Sequence, residues 1–376
     1  MKTKIKVIKV LIVDDSPVAL IVLKRIFATS PEIEVVGTAK NGLEALELIP
    51  QLQPDVICTD LHMASMNGLE FTREVMHEYP RPILVISSSV QEHNTENIFQ
   101  LLEAGAVDVF PKPEIGLISD YDAIKQELIN KIKILSGVKV FTHRRPNINK
   151  VSQENRQQLF LQNIQNKLVK NPIVSALQTI PKYPQSSKII KILAIGASTG
   201  GPQALKTILN NLPSTFPIPI ICVQHISNGF LNGLINWLAS VCQLPVKIAI
   251  SGELPQAGTI YFPPERHHLE LDNRGKFVCS KTPAIGGHCP SITVTFNSVA
   301  NFYGSFSAGV LLTGMGRDGA DGMQAIAQAG GLTIAQDEAS SIIFGMPKEA
   351  IALGAAQYIL SINDISHKLL SFTNPK

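Results

Sequence analysis

The sequence predicts an α/β protein of two parallel-sheet domains joined by a linker. Three observations lead there. Short β-branched runs recur through residues 7–110 and again through 189–335. They are continuous rather than alternating, as expected of strands buried on both faces, and stretches with apolar residues at helical spacing separate them. Between the two series, residues 140–188 have a different composition, with seven Gln, six Asn and four Pro. A chain of 376 residues also exceeds the ~250–300 residues at which single cores stop growing.

In the first part, strands are expected at Val7–Val13, Ile33–Gly37, Val56–Thr59, Ile83–Ser87 and Val107–Phe110. Helices fit Gly42–Ile49, Gly68–Tyr79 and Asp120–Leu135. Five βα units imply a doubly wound sheet of flavodoxin-like type. From Ile189 the pattern resumes, with strands at Ile189–Ile195, Ile218–Val223, Val246–Ile250, Thr259–Phe262, Ala308–Leu312 and Leu332–Ala335. Helices fit Pro202–Asn211, Phe230–Val241, Ser291–Phe302, Gly319–Ala329 and Pro347–Leu353. This is a second α/β domain with a mostly parallel sheet and some antiparallel strands in its middle. The divisions fall at 1–139, 140–188 and 189–376. The linker carries five Lys, three Arg and one Glu, or +7, against +3 for the whole chain, so the rest sums to 3 − 7 = −4. Within it Phe160, Leu161, Ile164 and Leu168 form one apolar helix face, suited to lying on a neighbouring domain.

Composition excludes several classes. With 45% hydrophobic and 17% charged residues the chain is not disordered throughout. Its small net charge argues against a nucleic-acid footprint. Cys58, Cys222, Cys242, Cys279 and Cys289 are odd in number and contain no CxxC, so a disulfide framework and a zinc site are both disfavoured. No apolar run reaches the ~18–20 residues a membrane span needs. The expectation is a soluble cytoplasmic protein without direct membrane insertion.

Chemistry in an open parallel sheet sits at the carboxyl ends of the strands. Asp14 and Asp15 end the first expected strand, Asp60 the third, Ser87 the fourth and Lys112 the fifth. An Asp-Asp pair alone reads as a turn or helix cap. Three carboxylates at one edge repel one another unless a cation is present, and hard oxygen donors suit Mg²⁺. A carboxylate in such a site can act as a nucleophile toward phosphorus, with Lys112 offsetting the charge and Ser87 donating to a phosphoryl oxygen.

In the second part, Ile189–Ile195 runs into GASTGG (Gly196–Gly201) and Pro202, which suits a first helical turn. Gly196–Gly200 satisfies the G-x-S-x-G elbow, a weak motif by itself. Ile218–Val223 is followed by Gln224-His225, and Ala308–Leu312 runs into TGMGRDG, which contains Asp318. A lone Asp there is more often the N-cap of the helix it precedes. All three polar groups after strands of one domain favour a nucleophile Ser198, a base His225 and Asp318 fixing the imidazole tautomer. His367 is the alternative base, on a helix rather than in a strand-end loop. His267, His268, His288 and Cys289 lack metal-ligand spacing and are read as structural or substrate-proximal.

VDDS, TDLHMASMNG, ISSS and FPKP resemble the receiver domain of response regulators over about residues 5–135. The resemblance implies Asp60 as phosphoacceptor, with Asp15, Asp60 and the carbonyl of His62 holding Mg²⁺ and Asp14 beside them. Two departures stand out: Met63-Ala64 replaces the usual Met-Pro, and Val109 replaces an aromatic switch residue, Phe110 facing the other way. Residues 189–372 resemble the catalytic domain of the chemotaxis protein-glutamate methylesterase/glutaminase family, CheB. IGASTGGP, VQHI, GELPQAGTIYFPPERHHLEL, CPSITVTFNSVA, LLTGMGRDGADGM and AQDEASSIIFGMPKEAI carry it. That implies Ser198, His225 and Asp318 as the triad, with amides near Thr199 and Met315 as oxyanion donors and no cofactor for the esterase step. It further implies methyl-accepting chemotaxis receptors as substrates, their glutamyl methyl esters hydrolysed and glutamines deamidated. A chemotaxis histidine kinase is the implied phosphoryl donor, and the unphosphorylated receiver is expected to cover Ser198. Rival readings are an inactive adaptor, a DNA-binding regulator, which would need a basic recognition helix, and a general carboxylesterase.

Overall fold

The computed structural model describes residues 6–87, 92–113, 118–140 and 189–371, the side chains of 92–97, 118–120 and 123 excepted. The linker, with its expected apolar helix face, lies outside the described residues.

The first sheet comprises β1 (Ile8–Val13), β2 (Ile33–Ala39), β3 (Val56–Thr59), β4 (Ile83–Ser87) and β5 (Asp108–Pro111). Its order is β2-β1-β3-β4-β5 and every pairing is parallel. The chain leaves β1 in one direction to β2 and returns on its other side at β3. The carboxyl end of β1 is therefore the switch point where the loops part, and Asp14 and Asp15 stand there. Helices α1 (Pro17–Ala28), α2 (Gly42–Leu52), α3 (Gly68–Glu78), α4 (Glu92–Ala104) and α5 (Ile118–Leu135) cover both faces. Polar residues start them: the Ser16 hydroxyl accepts from Ala19 N, and Asn67 with Glu70 forms a reciprocal capping box at α3. Val109 and Phe110 are both buried and belong to different apolar clusters, on opposite faces of β5 as expected from the two-residue period.

The second sheet has seven strands: β6 (Ile192–Ala197), β7 (Ile220–Gln224), β8 (Val246–Ile248), β9 (Ile260–Phe262), β12 (Ser307–Leu311), β13 (Leu332–Gln336) and β14 (Tyr358–Leu360). The order is β14-β13-β12-β6-β7-β9-β8, parallel throughout. The antiparallel strands expected in its middle exist, but outside that sheet. They form the separate hairpin β10 (His268–Leu271) and β11 (Phe277–Ser280), closed around Asp272 and Gly275. The helices of this part are α6 (Gly201–Leu209), α7 (Leu231–Val241), α8 (Ile292–Tyr303), α9 (Ala320–Gln328), α10 (Met346–Ala352) and α11 (Ile362–Leu370). The central strand β6 lies between β12 and β7. Three adjacent strands thus deliver the loops after Ala197, Gln224 and Leu311 to one sheet edge.

The two sheets and their helices pack into one compact unit. Phe99 of α4 stacks on Trp237 of α7, ring centroids 5.2 Å apart, in an apolar cluster continuous between both parts. The Glu103 carboxylate accepts from Trp237 Nε1 at 3.1 Å and pairs with Lys206. Gln203 Nε2 donates to the Ala106 carbonyl. The Asp108 carboxylate accepts from Lys131 Nζ at 2.6 Å and from the Thr199 hydroxyl at 3.2 Å. Among the described residues no helix is long and apolar enough to cross a membrane.

Candidate functional site

At the first sheet edge, one ligand oxygen from each of Asp14, Asp15 and Asp60 falls within a 4.8 Å circle. Asp14 and Asp60 are buried and Asp15 is exposed. Lys112 Nζ lies 2.8 Å from both Asp14 Oδ2 and Asp60 Oδ2. Asp14 Oδ1 also accepts from Ser16 N, and Asp60 Oδ1 from Leu61 N. Burial pushes the Asp60 carboxyl up, and Asp14 adds to this against the opposing pull of Lys112. Burial would lower the Lys112 ammonium, but Asp14 and Asp60 together hold it above its ordinary value. The donor set is all oxygen, which suits Mg²⁺. Ser87 is buried at the end of β4, and His62 is exposed in the loop after β3. Gly68 closes that loop: a Cβ there would meet the Asp60 carbonyl at 2.2 Å.

At the second sheet edge, Ser198 follows β6 in a tight strand-to-helix turn. Ser198 N donates to the Thr313 carbonyl at 3.0 Å, and Gly200 adopts φ 75°, a conformation glycine takes without a Cβ penalty. The loop after β12 passes so close that a Cβ on Gly314 would lie 2.6 Å from Ser198 Cβ. Neither Thr199 N nor Met315 N donates a hydrogen bond among the described residues.

His225 follows β7, and its Nε2 lies 2.9 Å from Asp318 Oδ2. Asp318 is the most heavily bonded side chain of the site. Its Oδ1 accepts from the Ser291 hydroxyl, Thr293 N and Gly319 N, and its Oδ2 accepts from Ile292 N. Burial raises the Asp318 carboxyl. His225, the Ser291 hydroxyl and the Thr293 amide outweigh it and hold the group well below the usual carboxylate range. The alternative weighed for Asp318 in the sequence, a cap of the following helix, does not hold; Asp318 serves a different helix. It sits at the N-terminus of α8, whereas α9 begins at Ala320 with Gly319 as N-cap and no side-chain cap.

Asp318 takes Nε2, and the other ring nitrogen, Nδ1, is buried without a hydrogen-bond partner among the described residues. Among the described residues no hydrogen bond joins it to Ser198 Oγ; catalytic contacts of this kind often tighten only on substrate binding.

Two further side chains meet these loops: Gln224, not singled out in the sequence, and His288, read there as structural or substrate-proximal. Gln224 Nε2 donates to the Ser198 carbonyl at 2.7 Å and the His225 carbonyl at 2.8 Å, tying the two loops together. Its neighbour must be glycine, since a Cβ on Gly201 would strike Gln224 Oε1 at 2.0 Å. The His288 ring stacks on His225 with centroids 3.9 Å apart and planes 3° from parallel. Burial, then the neighbouring His225, pushes its pKa down to about 4. His288 is therefore uncharged at neutral pH, which lets its ring lie flat on that of His225 without a second positive charge. The dipeptide Gln224-His225 was the only sequence signal for Gln224, and nothing local pointed to the stack. His268 is fully buried, its Nδ1 accepting from Ser291 N and its Nε2 facing the Pro283 carbonyl, a structural role as expected. Among the described residues, no hydrogen bond or ion pair joins His267 or His367 to Ser198 or Asp318.

Comparison with known proteins can now be set beside this geometry. Residues 193–369 match the CheB methylesterase family model, and residues 10–118 match the response regulator receiver domain. A protein-glutamate methylesterase/protein-glutamine glutaminase of Syntrophus aciditrophicus is 38% identical over 96% of this chain and 97% of its own.

The chain belongs to the CheB methylesterase family.

A second such protein, from Nitrosospira multiformis, is 38% identical over 96% of each chain. The crystal structure of the Thermotoga maritima CheB methylesterase catalytic domain is 40% identical, covers 48% of this chain and 98% of its own, and gives a TM-score of 0.47. The response regulator domain of the same Thermotoga maritima CheB is 38% identical, covers 36% of this chain and 99% of its own, with a TM-score of 0.32. This chain is thus a CheB-family hydrolase that carries a receiver, the domain type built for phosphorylation.

Proposed function

We propose that this CheB-family chain hydrolyses glutamyl γ-methyl esters and deamidates glutamines on methyl-accepting chemotaxis receptors, in the cytoplasm, under control of a chemotaxis histidine kinase. Residues 1–139 are assigned as the receiver, 140–188 as the linker and 189–376 as the catalytic domain. The observation that carries the reading is the Asp318–His225 contact beside the Ser198 turn, with the amides of Thr199 and Met315 uncommitted.

His225 Nδ1 takes the proton of Ser198 as Oγ attacks the ester carbonyl. Asp318 keeps the other proton on Nε2 and stabilises the imidazolium that forms. The Thr199 and Met315 amides take the oxyanion, where one donor is typically worth ~10²–10³ in rate. His225 then protonates the departing methanol, or ammonia in the glutaminase reaction. Water, deprotonated by the same imidazole, frees the glutamate.

In the receiver, Asp60 is the phosphoacceptor, attacking phosphorus through a carboxylate oxygen. Asp14, Asp15, Asp60 and the His62 carbonyl would hold Mg²⁺, which when bound supplies charge neutralisation for the phosphoryl oxygens. Lys112 adds a second positive charge, and Ser87 donates to the phosphoryl group. The unphosphorylated receiver restrains the Ser198 loop. The Asp108–Thr199 hydrogen bond and the packing of Ile343 against the α5 side of the receiver support this.

The test is methanol release from a methylated chemoreceptor cytoplasmic fragment, with Mg²⁺ and a small phosphodonor present or absent. Release that vanishes in Ser198→Ala and rises with phosphodonor is expected. Release that persists in Ser198→Ala refutes the nucleophile. No release from a folded protein favours the adaptor reading.

A further inference from the structure

Arg266 lies in the loop between β9 and β10. The turn over Pro264–His267 closes with His267 N donating to the Pro264 carbonyl, and Arg266 takes φ 57° within it. That position favours glycine, because a side chain with a Cβ is strained there. An arginine kept under strain calls for a reason in its side chain.

The side chain is held in place without being neutralised. With the Asn228 carboxamide turned so that its oxygen faces the guanidinium, it accepts from Arg266 Nε and Nη2 at 3.2 Å each. The adjacent Glu265 carboxylate is committed elsewhere, accepting from Gly229 N and Leu231 N at the start of α7. No carboxylate pairs with Arg266 among the described residues, whereas Arg317 pairs with both Asp321 and Glu349. A guanidinium has five N–H donors, so three remain uncommitted on this exposed side chain.

The pocket beside it is built partly from the sequence neighbours of His225 and His288. Arg266 and Asn228 line a small pocket together with Gln224, Ile226 and Cys289. Gln224 and Ile226 flank His225, and Cys289 follows His288, whose ring lies on His225. We infer that Arg266 is a specificity-determining residue that grips a carboxylate of the substrate protein next to the esterified glutamate. A fixed guanidinium matches a carboxylate in a two-pronged contact, and the proposed products are themselves glutamates, so substrate surfaces rich in such sites are acidic. The inference rests on the methylesterase reading above.

The test uses the full chain with saturating Mg²⁺ and phosphodonor. Two methylated chemoreceptor fragments are compared, differing only in a Glu or an Ala one helical turn from the esterified residue. The wild type is expected to favour the Glu fragment about tenfold in kcat/KM, through KM. Arg266→Gln should bring the two within twofold with kcat unchanged. Arg266→Gly, which removes the backbone strain, should lose the preference equally. Arg266→Glu should instead favour a fragment with Lys at that position. A preference absent in the wild type, or intact in Arg266→Gln, overturns the inference while leaving the esterase standing. Absence of Ser198-dependent release from either fragment overturns the underlying reading as well.

Discussion

Replacing Asp318 by Asn tests the triad most sharply, because the structure fixes how the amide must sit. Three donors converge on Oδ1 and two groups meet Oδ2. The amide oxygen must take the Oδ1 place, since an NH₂ there would face Thr293 N–H and Gly319 N–H. Nδ2 then occupies the Oδ2 place and faces Ile292 N–H and His225 Nε2. The imidazole answers by moving its proton to Nδ1, so that Nε2 accepts from the amide. Nδ1 then no longer accepts the serine proton. A wrong tautomer of this kind costs about 10⁴ in kcat in a comparable triad, or about 5.4 kcal/mol of barrier. The fold suffers less. One amide, Ile292 N, loses its acceptor at about 1–3 kcal/mol, and α8 loses a terminal charge at about 0.3–1 kcal/mol. Methanol release under saturating phosphodonor should therefore drop about 10⁴-fold in a protein whose melting temperature falls by only several degrees. A folded Asp318→Asn protein that keeps more than a tenth of wild-type kcat would refute the assignment of Asp318.

Asp60→Asn should show no response to phosphodonor while keeping basal methanol release within about twofold; activation that survives would remove Asp60 as the acceptor. Phe99→Ala empties one side of the Trp237 stack, a core truncation of about 3–5 kcal/mol, so basal release without phosphodonor should rise at least fivefold. An unchanged basal rate would show that this contact does not restrain the site. His288 has a folded pKa of about 4, below its ordinary 6.5, so the unfolded chain binds the extra proton first as pH falls. Its contribution is thus a loss of stability between about pH 6.5 and 4. Urea unfolding of His288→Phe over that window should show a shallower acid slope than wild type, and an identical slope would contradict a neutral His288 in the stack.

The sheet edges were readable because parallel strands buried on both faces leave unbroken β-branched runs, and the polar residue after each run marks its carboxyl end. β3 and β4 match their expected limits residue for residue. β10 and β11 were expected only as antiparallel strands without limits, and β14 not at all, because their short segments are only partly buried and lack that signal. Asp318 was correctly placed in its loop, but the helix it serves begins 26 residues earlier, a distance local patterning does not span. The same holds for His288 on His225 and Phe99 on Trp237. Each is a contact between rings far apart in the chain, decided by how layers stack rather than by the residues around either partner.

The Asp318 carboxylate joins two events that are usually separate. It receives the first amides of α8 and the proton-bearing nitrogen of His225 at once, so the helix start and the base are held by the same oxygen atoms. Amide protons shielded by a side chain exchange with solvent when that side chain leaves. The deuterium uptake of Ile292 and Thr293 therefore reads out the condition of the proposed triad in a resting enzyme. It needs neither substrate nor turnover, and it distinguishes a site that is blocked from one that has come apart.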